Sequence, residues 1–207
     1  MIILKSAEEI EMIRRSGQLA SRTLDLAAGH LKPGLTTGQL DKLIHEFIMD
    51  HGAIPATLGY RGYPASSCIS INEVVVHGIP GSRVVEEGDL VKIDVTTILD
   101  GFYGDTARTF CVGDVPPQAR RLAEATERSM YLGINEVRDG ARLGDIGAAI
   151  QEFIEPQGFS VVRYFVGHGV GREFHEEPSV AHFGRRGKGL RLKTGMVFTI
   201  EPMINEG

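Results

Sequence analysis

Four side chains in this 207-residue sequence have the chemistry of a cation site: Asp94, Asp105, His168 and Glu201. Asp94 closes the run Leu90-Val91-Lys92-Ile93, apolar enough to be largely buried, and Asp105 follows Asp100-Gly101-Phe102-Tyr103-Gly104. An antiparallel return would bring the two carboxylates together, and two buried acids repel unless a proton or a metal ion lies between them. Taken singly, Asp105 among its glycines reads equally well as a turn aspartate. His168 sits in Val166-Gly167-His168-Gly169-Val170-Gly171, where glycines let the backbone approach a ligand. Glu201 follows Val197-Phe198-Thr199-Ile200 and precedes Pro202, and His175 opens His175-Glu176-Glu177-Pro178. Three carboxylates with one imidazole suit a pair of divalent ions such as Mn, Fe, Co or Zn. Structural zinc would want cysteines.

The elements that must position these groups are legible in the pattern. Ser6 with Glu9 is a capping-box signature, and Ile10, Ile13, Gly17, Ala20, Leu24 and Ala27 keep helical spacing until Pro33-Gly34. A second helix opens at Thr36 or Thr37, puts Leu40, Leu43, Ile44, Phe47 and Ile48 on one face and ends at Gly52. Cys68–Ile71, Val74–Val76, Leu90–Leu99 and Thr109–Val112 are short, β-branched and punctuated by Gly and Asp, as antiparallel strands are. Helical pattern returns over Pro116–Arg138 and Leu143–Ile154.

That return contains a repeat. Gly34–Gly52 lies over Gly140–Gly158, with Gly38 on Gly144, Ile44 on Ile150, and Glu46-Phe47-Ile48 on Glu152-Phe153-Ile154. One residue out of step, Gly88–Asp94 lies over Gly195–Glu201, so Asp94 answers to Glu201. The competing explanation is the cheap likeness of amphipathic helices. The repeat predicts one domain over residues 1–207, made of related halves at about 1–112 and 113–207, each two helices followed by strands. The counterpart of Asp105 would lie after Gly207, so the second half is expected to be one carboxylate short.

Composition narrows the setting. Hydrophobic residues make up 42% and charged residues 24%, a globular balance. A net charge of −5 offers no general attraction to DNA or acidic membrane. The apolar run Ile2–Leu4 is too short for a signal peptide or membrane span, and two cysteines, Cys68 and Cys111, are too few for a disulfide framework. A cytoplasmic chain with free thiols is the expectation. Gly167, Gly169 and Gly171 do not complete a dinucleotide loop, because Arg172 stands where glycine is needed, and His175-Glu176 lacks the second histidine of the helical zincins. The basic stretch Arg185, Arg186, Lys188, Arg191 and Lys193 reads as a solvated loop, with ribosomal RNA contact as the sharper alternative.

Together these motifs resemble the type I methionine aminopeptidases of the pita-bread fold. The resemblance is carried by Ser70-Ile71-Asn72-Glu73 with His77-Gly78-Ile79-Pro80, by Gly88–Asp94, Gly101–Thr109 and Gly167–Gly171, by Phe174–Pro178, and by Phe198-Thr199-Ile200-Glu201-Pro202. It implies an α+β fold of two pseudo-symmetric halves around a curved antiparallel sheet. It implies removal of the N-terminal methionine from nascent proteins and peptides with a small second residue. Asp94, Asp105, His168 and Glu201 match the family's metal ligands, Asp105 as a bridge; His77 and His175 match histidines that flank the substrate; Tyr60, Tyr63, Cys68, His77 and Phe174 match the lining of the methionine pocket. Thr57 stands where bacterial members often have cysteine. The family continues into a final bridging glutamate with no counterpart in these 207 residues, so a C-terminally incomplete site, with two divalent ions reduced to one and impaired turnover, is expected of this chain. The partner is a peptide or nascent-chain N-terminus, with transient ribosome contact and a monomeric state if the chain is complete. Aminopeptidase P and prolidase on the same fold, or a non-catalytic binder, are the rivals.

Overall fold

A computed structural model describes residues 1–206. The described chain is α+β with antiparallel sheets and divides into two compact units. One comprises Glu11–Pro117 with Gly171–Phe174; the other comprises Met1–Ile10, Gln118–Val170 and the chain from His175 on.

Helix α1 (Ala7–His30) begins as its sequence demands: the Glu9 N–H donates to Ser6 Oγ at 3.2 Å and the Glu9 carboxylate accepts the Ser6 N–H at 3.1 Å. Helix α2 (Thr37–Asp50) is capped in the same way by Thr36 and Gln39. In the unit Glu11–Pro117, short β1 (Ile54–Pro55) and β2 (Cys68–Ile71) both pair with β3 (Leu90–Leu99), which pairs in turn with β4 (Phe102–Cys111). The apolar faces of α1 and α2 close over this sheet, burying Leu24, Leu40, Ile44, Ile48, Val91, Ile93 and Val95. Ser16 on α1 and Thr97 on β3 exchange hydrogen bonds inside that layer, so helix and strand are held in one register.

In the other unit α3 (Pro117–Asn135) and α4 (Leu143–Ile154) lead into β5 (Phe159–Val161), β6 (Gly167–Gly169), β7 (Glu176–Val180) and β8 (Ile204–Glu206). Strand β5 pairs with β8 and β6 with β7, and Ile146, Ile150, Ile154, Phe159 and Val161 form the core.

The repeat extends to individual hydrogen bonds. Thr37 N–H donates to Arg83 O and Gly38 N–H to Gly81 O; in the other unit Leu143 N–H donates to Leu190 O and Gly144 N–H to Lys188 O. Gly34 with Val85 is matched by Gly140 with Leu192, and the bridge of Thr36 and Val84 by that of Arg142 and Arg191. Chance likeness of helix faces would not reproduce the contacts each helix makes.

Three local expectations change. Val74–Val76 lies outside any strand, with a turn at Asn72-Glu73 before it and a bend at Val76, because Asn72 and His77 take positive φ of 51° and 58° on either side and break extension. The hairpin turn shrinks to Asp100-Gly101, at φ 52° and 79°, which places Asp105 within β4 rather than in a turn. Val197–Ile200 is not a regular strand: it meets the chain around Gly169 through a single bridge of Phe198 with Gly169, flanked by Val170 N–H to Val197 O and Thr199 N–H to His168 O. Its counterpart β3 is paired along both edges, and strand character comes from that pairing as much as from β-branched residues.

Candidate metal centre

The β3–β4 register fixes the first two carboxylates. Asp94 lies opposite Cys68 on β2 and Ala107 on β4, while Thr96 lies opposite Asp105. Side chains at alternate positions share a face, so Asp94, Thr96, Asp105 and Cys68 project from the same side of the sheet. Thr96 Oγ1 donates to Asp105 Oδ1 at 2.9 Å. Burial, then the charge of Asp94, pushes the Cys68 thiol up to about 12, with Asp105 adding in the same sense. A negative field of this kind is what a cation would neutralise.

The residues expected to line the methionine pocket lie in the same unit. Tyr63 O–H donates to Gly78 O at 2.8 Å and lies against Cys68. His77 is held next to β2 by its neighbour: Ile69 N–H donates to Gly78 O, and a Cβ at Gly78 would stand 2.3 Å from Ile69 O, so only glycine fits. Phe174 is buried, with its ring centroid 4.8 Å from Tyr60 and 5.7 Å from Tyr103. Thr57 Oγ1 donates to Ala65 O at 3.1 Å and shapes the loop between these tyrosines and β2.

In the other unit His168 and Glu201 face each other. The His168 ring has Nδ1 2.9 Å from Gly169 O; a carbonyl only accepts, so Nδ1 holds a proton and Nε2 is the nitrogen that a neutral ring would offer to a metal. That Nε2 lies 3.6 Å from Glu201 Oε1. Two electron-pair donors converging, with the imidazole oriented through its far nitrogen by a carbonyl, is the usual arrangement of a metal-binding histidine. The donor chemistry therefore fits a divalent ion. Thr199 ties both together: its hydroxyl accepts the His168 N–H at 3.0 Å and donates to Glu201 Oε1 at 2.6 Å. The His175 ring centroid lies 4.1 Å from that of His168. Glu176, beside it, forms a buried ion pair with Lys5.

Sequence reasoning passed over Thr96, Thr199, Lys5 and His182. The threonines had a signal, since each sits two residues from a candidate acid in its own half. His182, whose Nε2 accepts the Glu201 N–H at 3.0 Å, is fully buried, and burial lowers its ring to about 4.

Comparison with known proteins gives this geometry a family. Residues 11–207 match the profile described as metallopeptidase family M24. The methionine aminopeptidase of Rickettsia prowazekii is 52% identical over 206 residues, covering 100% of this chain and 80% of that protein. Methionine aminopeptidase A of Synechocystis is 54% identical over 207 residues, covering 100% and 82%. The crystal structure of the Rickettsia prowazekii enzyme superposes with a TM-score of 0.98, covering 100% of this chain and 84% of that one. A prolidase from Pyrococcus horikoshii, at 24% identity, TM-score 0.84 and coverage of 98% and 56%, shares the fold alone. The fold is thus the pita-bread fold of these enzymes, and the chain belongs to metallopeptidase family M24 and, within it, to the methionine aminopeptidases.

Proposed function

We propose that this chain removes the N-terminal methionine of peptides and nascent proteins with a small second residue, using Asp94, Asp105, His168 and Glu201 to hold divalent metal. The observation that carries the ligand assignment is the opposition of His168 Nε2 and Glu201 Oε1 at 3.6 Å, with the imidazole held through Nδ1. The acid pair on β3 and β4 supports it through its field on Cys68. Mn, Fe, Co and Zn all suit this donor set, with two ions, or one alone, held by it.

Bound ions supply Lewis acidity, making hydroxide available near neutral pH and polarising a carbonyl. The protein does the rest. Glu201 accepts the proton of the attacking water and delivers it to the leaving amine. His175 donates a hydrogen bond to the oxyanion that develops on the first carbonyl, and His77 contacts the scissile peptide. Tyr60, Tyr63, Cys68 and Phe174 hold the methionine side chain, whose polarisable thioether suits an aromatic and sulfur lining. The working form is a cytoplasmic chain, monomeric if complete, that meets the ribosome transiently through the basic segment Arg185–Lys193. Among the described residues no helix is long and apolar enough to cross a membrane.

The test is methionine release from a Met-Ala-Ser peptide with and without Mn or Co, alongside Glu201→Gln. Metal-dependent release that falls about 10²–10⁴-fold in the variant is expected. Release indifferent to metal, or unchanged in Glu201→Gln, would overturn the assignment.

A further inference from the structure

The backbone ladder around Glu201 has a gap. Thr199 N–H donates to His168 O, whereas Val162 N–H donates to Met203 O. Four residues on one side of the ladder are thus matched by six on the other, and the register slips by two where Glu201 stands. A continuous ladder would have offered the Glu201 N–H the carbonyl of Val166; instead it meets His182 Nε2 at 3.0 Å.

His182 is built in firmly. It lies two residues past β7 and is fully buried. Its neighbours press on α4 so closely that a Cβ at Gly147 would stand 2.3 Å from Phe183 O and 2.8 Å from Ala181 O. Gly184 N–H donates to Gln151 Oε1 at 3.0 Å on the same helix. Because Nε2 accepts, Nδ1 carries the proton, and His182 Nδ1 is the buried side-chain nitrogen that has no hydrogen-bond partner among the described residues. A buried unpaired donor is costly, and an apolar side chain would fill the space without that cost. What histidine adds here is the acceptor nitrogen.

We propose that His182 is a positioning residue for Glu201: its Nε2 replaces the missing ladder acceptor and fixes the backbone from which the Glu201 carboxylate is aimed, while Thr199 fixes the carboxylate itself. The inference rests on the reading of Glu201 as a metal ligand. Loss of a partner that orients a ligand typically costs 10–100-fold in metal affinity.

Calorimetric titration of the 207-residue chain with Co(II) tests it, using wild type, His182→Leu, His182→Gln and Glu201→Gln, with the thermal midpoint of each metal-free protein measured separately. His182→Leu is expected to bind Co(II) at least tenfold more weakly, and His182→Gln, whose Oε1 can accept the same N–H, to recover most of that loss. Wild-type affinity in His182→Leu, with or without a lower midpoint, overturns the inference, as does an equal loss in both His182 variants. Wild-type affinity in Glu201→Gln would instead overturn the ligand reading beneath it. Should His182→Leu not fold, amide exchange and ¹⁵N spectra of the wild type decide: a protected Glu201 amide with scalar coupling to His182 Nε2 is expected. Rapid exchange at that amide, or an Nε2-protonated ring, overturns the proposal.

Discussion

Cys68 reports the field of the candidate site more directly than the carboxylates themselves. Its thiol, normally near 9, is pushed up to about 12, first by burial and then by the charge of Asp94. The neighbouring Tyr63 hydroxyl is driven upward by the same burial and by its hydrogen bond with Cys68. A raised thiol pKa means less thiolate at any given pH, and three pKa units amount to about a thousandfold less at pH 8. Cys111, the other free thiol, is only partly buried. With a disulfide reagent at pH 8, the folded chain should therefore label rapidly at Cys111, with Cys68 slower by about two to three orders of magnitude. Urea should equalise them. Comparable rates in the folded chain would show that neither burial nor the acid pair raises Cys68. A cation between Asp94 and Asp105 would remove the electrostatic part of the shift and leave the burial part, so added metal should narrow the difference in rate without abolishing it.

At the scale of elements, the two halves reuse one device: a helix whose second residue is glycine, crossed at that glycine by an incoming loop. The fit is closer in the second half. A Cβ at Gly144 would stand 2.4 Å from Arg185 O and 2.6 Å from Lys188 O, whereas at Gly38 the nearest atom is Gly81 O at 3.0 Å. Backbone cannot step aside as a flexible side chain can, so Gly144→Ala should destabilise by about 1–3 kcal/mol and Gly38→Ala by less. Urea melts of the two variants check the ranking, and the reverse order would mean that the loops yield more readily than the helices. The glycines were legible in the sequence because they align in the repeat, and so were the helices, whose apolar spacing and caps are local. The strands were less so. Val74–Val76 has strand residues between two positive-φ positions, Asn72 and His77, and Val197–Ile200 has them without the two-edged pairing of β3; neither dihedral sign nor pairing is written in β-branched composition. Asp105 was placed near a turn because Gly104 follows Gly101 closely, yet the tight Asp100-Gly101 turn leaves Gly104 inside β4. A Cβ there would stand 2.1 Å from the Gly17 amide of α1, so this glycine serves packing rather than turning.

For the whole molecule, the proposed ligand set is Asp94, Asp105, His168 and Glu201, two side chains from each half of the sequence repeat. These residues stood out in the sequence because each is an ionisable group at the end of an apolar run or among glycines. The groups that orient them did not, since Thr199 and His182 look like ordinary strand and core residues until their hydrogen bonds are seen. Metal binding has a thermodynamic consequence. Metal held by native side chains is released when they unfold, and binding to the native state alone stabilises by about 2.7 kcal/mol at free metal one hundred times its Kd. For a chain of this length that corresponds to roughly 5–10 °C in the melting midpoint. The expected outcome is a Co(II)-dependent rise of that order in the wild type, reversed by chelation, and lost both in Asp94→Asn and in Glu201→Gln. Each substitution removes one carboxylate charge, so loss in both is the outcome expected if both side chains hold the metal. A rise that survives Asp94→Asn while vanishing in Glu201→Gln would place the metal on His168 and Glu201 alone.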